Sequence, residues 1–369
     1  MKSNNVWVIN SIAFILVVFL LFIKVSYLMR NIGYDSIHFA EYTKEESEIT
    51  DVILIGGSST FVYWAPYIAW ERYGIASYNY SSNSMSPALT IGLMKEAAKN
   101  RKPDLFVIDL RALAVRDDTP DFYSDAYIRN ITDSLYYSKN RTEMVKYTYS
   151  IEHPELKNKP ENYLDIIKYH DTWQYIGKEQ YYYANHNLPS SLYKGFEFVK
   201  DPLHTYFETY DWKGCDSEEL FSEETMKILY DILDYCDICG SEVLFTLNTY
   251  YQDCKADKER YNGVKRIIED RGYNFINTND YLNESGIDFA RDFYNNNHVN
   301  MYGAEKYTIF LGKYICENYG HIVKDQRRNE RYKKNWEENL DRWNKEVIVQ
   351  KQMIDEAIIK EEQNLIHEK

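Results

Sequence analysis

Two stretches hold side chains of the kind that open acyl bonds. In "LIGGSSTF", residues 54–61, an apolar run ends in two glycines and two serines follow at once. Glycines let a chain turn tightly at a strand end. A hydroxyl placed there meets backbone N–H groups able to hold an oxyanion. Ser58 and Ser59 are both candidate nucleophiles. The spacing is neither that of a G-x-x-x-x-G-K-[ST] phosphate loop nor that of the G-x-S-x-G elbow. The same residues also suit a plain helix start, where a hydroxyl caps free N–H groups.

In "DFYNNNHVNMYGAEKYT", residues 292–308, His298 stands in a loop that opens a helix. Of the eight histidines it alone follows a strand-rich region of an alternating core. Imidazole is the side chain suited to take a serine proton near neutral pH. It is ordinarily oriented by a carboxylate, which fixes the tautomer and stabilises the imidazolium. Three residues before His298 stands an amide, Asn295, and the nearest upstream carboxylate is Asp292. Three arrangements stay open. Asp292 reaches round to the ring; a serine–histidine dyad operates with Asn295 or a backbone carbonyl positioning it; or the site is weakened and keeps a binding role.

Other chemistry is less well supported. The chain has 369 residues and a net charge of −14, so it lacks the basic surface that nucleic acid requires. Five cysteines in so long a chain do not make a disulfide framework. Cys236 and Cys239 form C-D-I-C, but the run around them reads as a helix closing at Gly240, with no second pair nearby.

The elements that must position these residues read as strands alternating with helices. "DVILIGG" (51–57) and "PDLFVIDL" (103–110) are short apolar runs of the kind buried in a parallel sheet. "GIASYNYSS", "EVLFTLN" and "YNFIN" add strands, and "SPALTIGLMKEAAKNRK", residues 223–235, 257–270 and 302–320 add helices. This alternation predicts an α/β doubly wound parallel sheet over residues 51–320. It stops between 112 and 220, where two Tyr-rich helical stretches form an insertion, placed where a lid or a packing elaboration would lie. Residues 321–369 read as a charged helical tail with Trp336 and Trp343 seven apart on one face. At the other end, residues 6–23 carry only Asn10 and Ser11 as polar side chains, the lower limit for a transmembrane helix. No small-residue cleavage site follows, so residues 1–30 read as an uncleaved anchor and 31–50 as a stalk. Lys2 before the span and Lys24 and Arg30 after it leave the orientation open by charge alone.

A serine in the first strand-loop, several α/β units and a histidine before the last helix form a chain order that resembles the SGNH hydrolases, also called the GDSL family. That family's first block reads G-D-S-L. Aligned with it, Gly57-Ser58-Ser59-Thr60 puts Ser58 at the Asp position and Ser59 at the nucleophile position. "NNNHVNMYGAEKYT" resembles the last block of the cell-surface branch, D-x-x-H-L-N-x-x-G-A-x-K, at His298, Asn300, Gly303, Ala304 and Lys306, with Asn295 standing where the family has its acid. Ser82 and Asn83 lie nearest the second block, and the third block's G-x-N-D does not follow "LFVIDLRAL". The resemblance covers residues 51–111 and 222–320.

The resemblance implies a flavodoxin-like three-layer fold and catalysis by Ser59 and His298 with Asn295 or Asp292. It also implies an oxyanion hole from Ser59, Ser82 and Asn83, and no metal or nucleotide cofactor. The implied protein is single-pass, with its globular domain extracellular. It would act as an esterase or O-acyltransferase on acylated cell-surface glycan, polysaccharide or teichoic acid, beside a multi-spanning membrane acyltransferase. The rival expectation is a non-catalytic anchored scaffold that binds the glycan or the acyltransferase.

Overall fold

The computed structural model describes residues 2–30, 37–45, 49–199, 215–250 and 255–367. Parts of the expected stalk (31–36, 46–48) and of the insertion (200–214) lie outside them. In chain order the elements begin with helix α1 (Lys2–Met29), α2 (Ile37–Glu41), strand β1 (Val52–Ile55), α3 (Ser58–Tyr63), α4 (Pro66–Tyr73), β2 (Ser77–Asn79), α5 (Thr90–Ala97) and β3 (Leu105–Asp109). The insertion holds α6 (Arg111–Asp118), α7 (Asp125–Thr132), α8 (Lys139–Glu152), α9 (Asp165–Lys168) and α10 (Lys178–Ala184). Then come α11 (Glu223–Cys239), β4 (Glu242–Leu247), α12 (Lys255–Asp270), β5 (Asn274–Asn277), α13 (Leu282–Ser285), β6 (Phe293–Asn295), β7 (His298–Val299), α14 (Met301–Tyr319), α15 (Glu330–Glu337) and α16 (Leu340–His367).

β1 to β5 form one parallel sheet in the order β2-β1-β3-β4-β5. Side chains alternate across a strand, and here the alternation divides the core in two. Ile53, Ile55, Phe106, Ile108, Val243 and Phe245 face a cluster with α5, α11 and α12. Val52, Leu54, Leu105, Val107, Leu244 and Ile276 face one with α4 and α14. Both faces are therefore buried, which is why residues 52–55, 105–108 and 243–245 are apolar at every position and not at every second one. Each such buried Val, Leu, Ile or Phe contributes about 1.5–3 kcal/mol.

The chain order reverses at β1: β2 lies to one side of it and β3 to the other. Sheets of this kind open a crevice at such a reversal, at the carboxyl ends of the strands. The serines follow β1, and Asp109 ends β3. Trp336 and Trp343 of the tail are fully buried, Trp336 stacked on Trp70 at 5.1 Å between ring centroids. The tail thus belongs to the α4 face. α11 ends at Cys239 on Gly240, which adopts a left-handed conformation (φ 74°).

α1 holds a stretch, Val6–Met29, long and apolar enough to be a membrane anchor or a signal sequence. Its last turn packs into the insertion. Arg30, almost fully buried, donates from Nε to Asp165 at 2.7 Å and lies 4.6 Å from the ring centroids of Tyr27 and Tyr137.

Candidate active site

Gly57 precedes the first turn of α3, so Ser58 and Ser59 are its first two residues. Successive residues on a helix point about 100° apart, so the two hydroxyls cannot face the same way. Ser58 turns to the surface crevice, and its Oγ lies 2.7 Å from Nε2 of His298. Ser59 turns inward, 3 % exposed, and donates to Asp109 Oδ2 at 2.6 Å. Placing Ser59 against the histidine, as the resemblance implied, is therefore corrected: the hydroxyl in contact with His298 is that of Ser58. Gly56 makes the packing beneath them possible. A Cβ there would lie 2.8 Å from Asp109 Cβ and would overlap Thr60 Oγ1.

His298 sits on a two-stranded antiparallel ribbon in which it pairs directly with Asn295. Asn295 Oδ1 accepts the backbone N–H of Asn297 at 2.9 Å and faces His298 Nδ1 at 3.0 Å. A backbone N–H only donates, so the amide oxygen must be the atom on this side. Nδ1 then carries the proton, and Nε2 presents its lone pair to the Ser58 hydroxyl. The tautomer a base requires is thus set by an amide. The helix that follows is fixed against the ribbon: Asn300 caps α14 by accepting from Tyr302 N at 3.0 Å and Gly303 N at 3.3 Å. A side chain on Gly303 would come within 2.7 Å of Val299 Cβ.

The tip of the ribbon is held from the opposite side. The Asn297 carbonyl accepts from Arg111 Nη1 at 2.7 Å and from Tyr63 Oη at 3.1 Å, and Arg111 also donates to the Asn297 side chain. The Arg111 guanidinium lies 4.0 Å from the centroid of the Tyr250 ring. Below Ser59, Asp109 Oδ1 accepts the amides of Arg111 at 3.3 Å and Asn248 at 3.4 Å. Asn248 donates to the Ser59 carbonyl at 3.1 Å and accepts from Tyr307.

Burial, helped by the Arg111 charge, lowers the pKa of His298 from its ordinary 6.5 to about 3. Burial raises that of Asp109, against the hydrogen bond from Ser59 and the charge of Arg111. The site therefore keeps its imidazole neutral, and among the described residues no carboxylate contacts the ring to stabilise the cation.

Asp292 is not in this constellation. Its Oδ2 lies 2.6 Å from Lys306 Nζ and accepts the Asp288 amide at 2.7 Å. Ser82 is also displaced from its expected place: it is fully buried and its N–H donates to the Gly56 carbonyl at 3.3 Å, inside the sheet edge. Asn83, by contrast, lines the crevice, followed by Ser84 with φ 48°. The crevice has a volume of about 290 Å³. Its lining includes the polar side chains of Ser58, His298 and Asn83 and the apolar ones of Met85, Val115 and Phe122. Val115 and Phe122 come from the start of the insertion, which thereby forms a wall of the site.

Asp109 and Arg111 were not singled out from the sequence. Their position at the end of an apolar run, on the carboxyl edge of a parallel strand, is the signal that could have found them. Among the described residues no three His, Cys, Asp or Glu side chains gather into a group able to hold a metal ion. Compared with known protein families, curated proteins and solved structures, the chain matches none of them.

Proposed function

We propose that this protein is a serine esterase or O-acyltransferase of SGNH type, anchored in a membrane by α1, with Ser58 as its nucleophile. The observation that carries the proposal is the Ser58–His298–Asn295 chain of contacts at 2.7 and 3.0 Å. In the reaction, the Ser58 hydroxyl gives its proton to Nε2 of His298 as Oγ attacks an ester carbonyl. The oxyanion is met by the backbone N–H groups at the start of α3, which have no partner within the helix, and by Asn83. Collapse expels the alcohol, which takes the proton from Nε2. Water or a sugar hydroxyl then gives its proton to His298 and attacks the acyl carbonyl, and on collapse Ser58 Oγ leaves and takes that proton back from Nε2. The apolar wall of Met85, Val115 and Phe122 suits the acyl group.

The resemblance narrows the substrate to acyl esters of envelope glycan, with the globular body outside the membrane and a membrane acyltransferase as a partner. Anchoring is further supported by the packing of α1. Cleavage beyond Tyr27 would remove that ring and break the cluster that buries Arg30.

A second reading is favoured by one observation: a histidine held near pKa 3 makes a poor base. On that reading the domain binds an acylated glycan and turns it over slowly or not at all. The experiment is fluorophosphonate labelling of the full chain in membranes. Labelling of the wild type and of Ser59→Ala, lost in Ser58→Ala, is expected. Labelling lost in Ser59→Ala and kept in Ser58→Ala would overturn the nucleophile. A folded wild-type protein that takes no label would select the binding role.

A further inference from the structure

α1 is longer than its free part. Residues 6–21 stand clear of the rest of the protein, and from residue 22 onward the helix is increasingly covered by it, with Ser26, Tyr27 and Arg30 buried. Sixteen residues at 1.5 Å each span about 24 Å, whereas the hydrocarbon core of a bilayer is about 30 Å thick. The shortfall is about one helical turn. At the other end residues 2–5, Lys-Ser-Asn-Asn, are polar, so the shortfall falls on the segment that packs against the insertion, and a membrane of ordinary thickness reaches the insertion itself.

The surface the insertion presents there has the matching composition. Thr172 Oγ1 donates to the Met29 carbonyl at 2.7 Å, fixing the 3-10 turn Thr172–Tyr175 against the end of α1. On and beside this turn Trp173 is 66 % exposed, Tyr175 73 %, Ile176 41 % and Tyr181 57 %, with Ile167 of α9 at 44 %. Large aromatic rings with polar tips are the residues that settle at the boundary between headgroups and acyl chains. The elements that carry these side chains pack against α1, so in water they would add to the exposed apolar surface of that helix.

We infer that this face of the insertion, α9, the turn at Trp173 and the start of α10, is seated in the bilayer interface. The occupant of the patch is lipid, and the protein is held to the membrane by a surface as well as by a helix. The inference rests on α1 serving as a span, and is independent of the chemistry proposed for Ser58. The charged cluster around Arg30 then fixes the angle between span and body. Arg30, Arg129 and Arg141 are bound by Asp133 and Asp165 in a buried network, with side-chain exposures of 0 to 4 %.

The test uses the full chain in phosphatidylcholine vesicles, with and without bromine near the top of the lipid acyl chains. In a Trp7→Phe chain, bromolipid should quench a component of tryptophan emission that disappears in Trp7→Phe/Trp173→Phe. Quenching of that component by aqueous iodide and not by bromolipid would place the face in water and overturn the inference. Quenching by neither would mean that protein, such as a second copy of the chain, covers the face, and would overturn the inference as well. The single Trp173→Phe chain, which keeps Trp7, reports the span separately. If its Trp7 is not quenched by bromolipid, the span is refuted and the seat with it.

Discussion

His298 and Asn295 face each other across a two-stranded ribbon, with Nδ1 and Oδ1 3.0 Å apart. The amide does half of what a carboxylate does. It fixes the ring and its tautomer, but gives the imidazolium no opposite charge, and burial beside Arg111 holds the pKa at about 3. Orientation and basicity are normally provided by one group; in this site they are separated.

Asn295→Asp should therefore increase activity. An aspartate at this position keeps an oxygen for the Asn297 amide and the Nδ1 proton, and adds the missing charge. The reverse change in a serine protease costs roughly 10⁴ in kcat, which bounds the gain from above. The pH dependence should change with it. With a pKa near 3 the wild-type histidine stays neutral down to mildly acid pH, so acylation by p-nitrophenyl acetate should show no histidine limb between about pH 5 and 8. In Asn295→Asp the pKa rises, and activity should fall as pH drops through the new value, so the advantage shrinks in acid. An unchanged rate and profile would mean that Asn295 does not act on the base.

Ser59→Ala should damage stability where Ser58→Ala does not. Ser59 donates to a buried carboxylate, and leaving that carboxylate short of a donor costs about 1–3 kcal/mol. The pKa of Asp109 is raised in the fold, so its charged form is disfavoured there relative to the unfolded chain. Its penalty is absent at pH below the unfolded value of about 3.9, grows as pH rises from there towards the folded value, and is full above it. Losing Ser59 raises the folded value further. The deficit of Ser59→Ala should thus be full only above the variant's folded value and shrink in acid. Adding Asp109→Asn should remove much of it. Thermal unfolding of the four chains at two pH values measures this cycle; simple additivity would exclude the pairing.

The two serines show where sequence reading reached its limit. The strands β1 and β3 were legible because a parallel strand buried on both faces can be an uninterrupted apolar run, as in Val52–Ile55 and residues 105–108. His298 and its amide neighbour were legible from chain order. Which serine faces them depends on helical phase, set by whether α3 begins at Ser58 or one residue later, and local composition does not determine it. α4 escaped notice for a different reason: Pro66 to Trp70 are all buried, so no polar face marks a helical period. Arg30 read as a charge flanking a span, yet its partner, Asp165, lies 135 residues away.

Two adjacent glycines should respond in opposite ways. Gly56 packs against Asp109 and Thr60, where a methyl has no room, so Gly56→Ala should cost about 1–3 kcal/mol through overpacking and shift the start of α3 away from His298. At Gly57 nothing lies within 4 Å of an added Cβ. Gly57→Ala should fold normally, with any loss confined to substrate binding. Unfolding curves together with fluorophosphonate labelling separate the two effects. Equal stability of both chains would contradict the close packing beneath the site.

The cluster at the end of α1 makes a prediction from charge counting. Three arginines, Arg30, Arg129 and Arg141, share two carboxylates, Asp133 and Asp165. Arg30→Met removes the excess charge and leaves two against two, although the carbonyls of Asp133 and Leu135 lose a donor. Asp165→Asn leaves three cations against one anion in a buried site, and breaking such a network typically costs about 3–5 kcal/mol. Asp165→Asn should therefore be the more damaging, although Arg30 is the residue that joins α1 to the body. Burial alone would raise the pKa of Asp165, but Arg30 and Arg141 hold it below its ordinary value. Its contribution is present above the unfolded pKa and is lost as pH falls through the folded one. The gap between wild type and Asp165→Asn should accordingly close in strong acid. Thermal unfolding of the full chains in detergent measures both effects, and Arg30→Met proving the worse of the two would mean that the arginine's hydrogen bonds and ring contacts, not the charge balance, hold the junction.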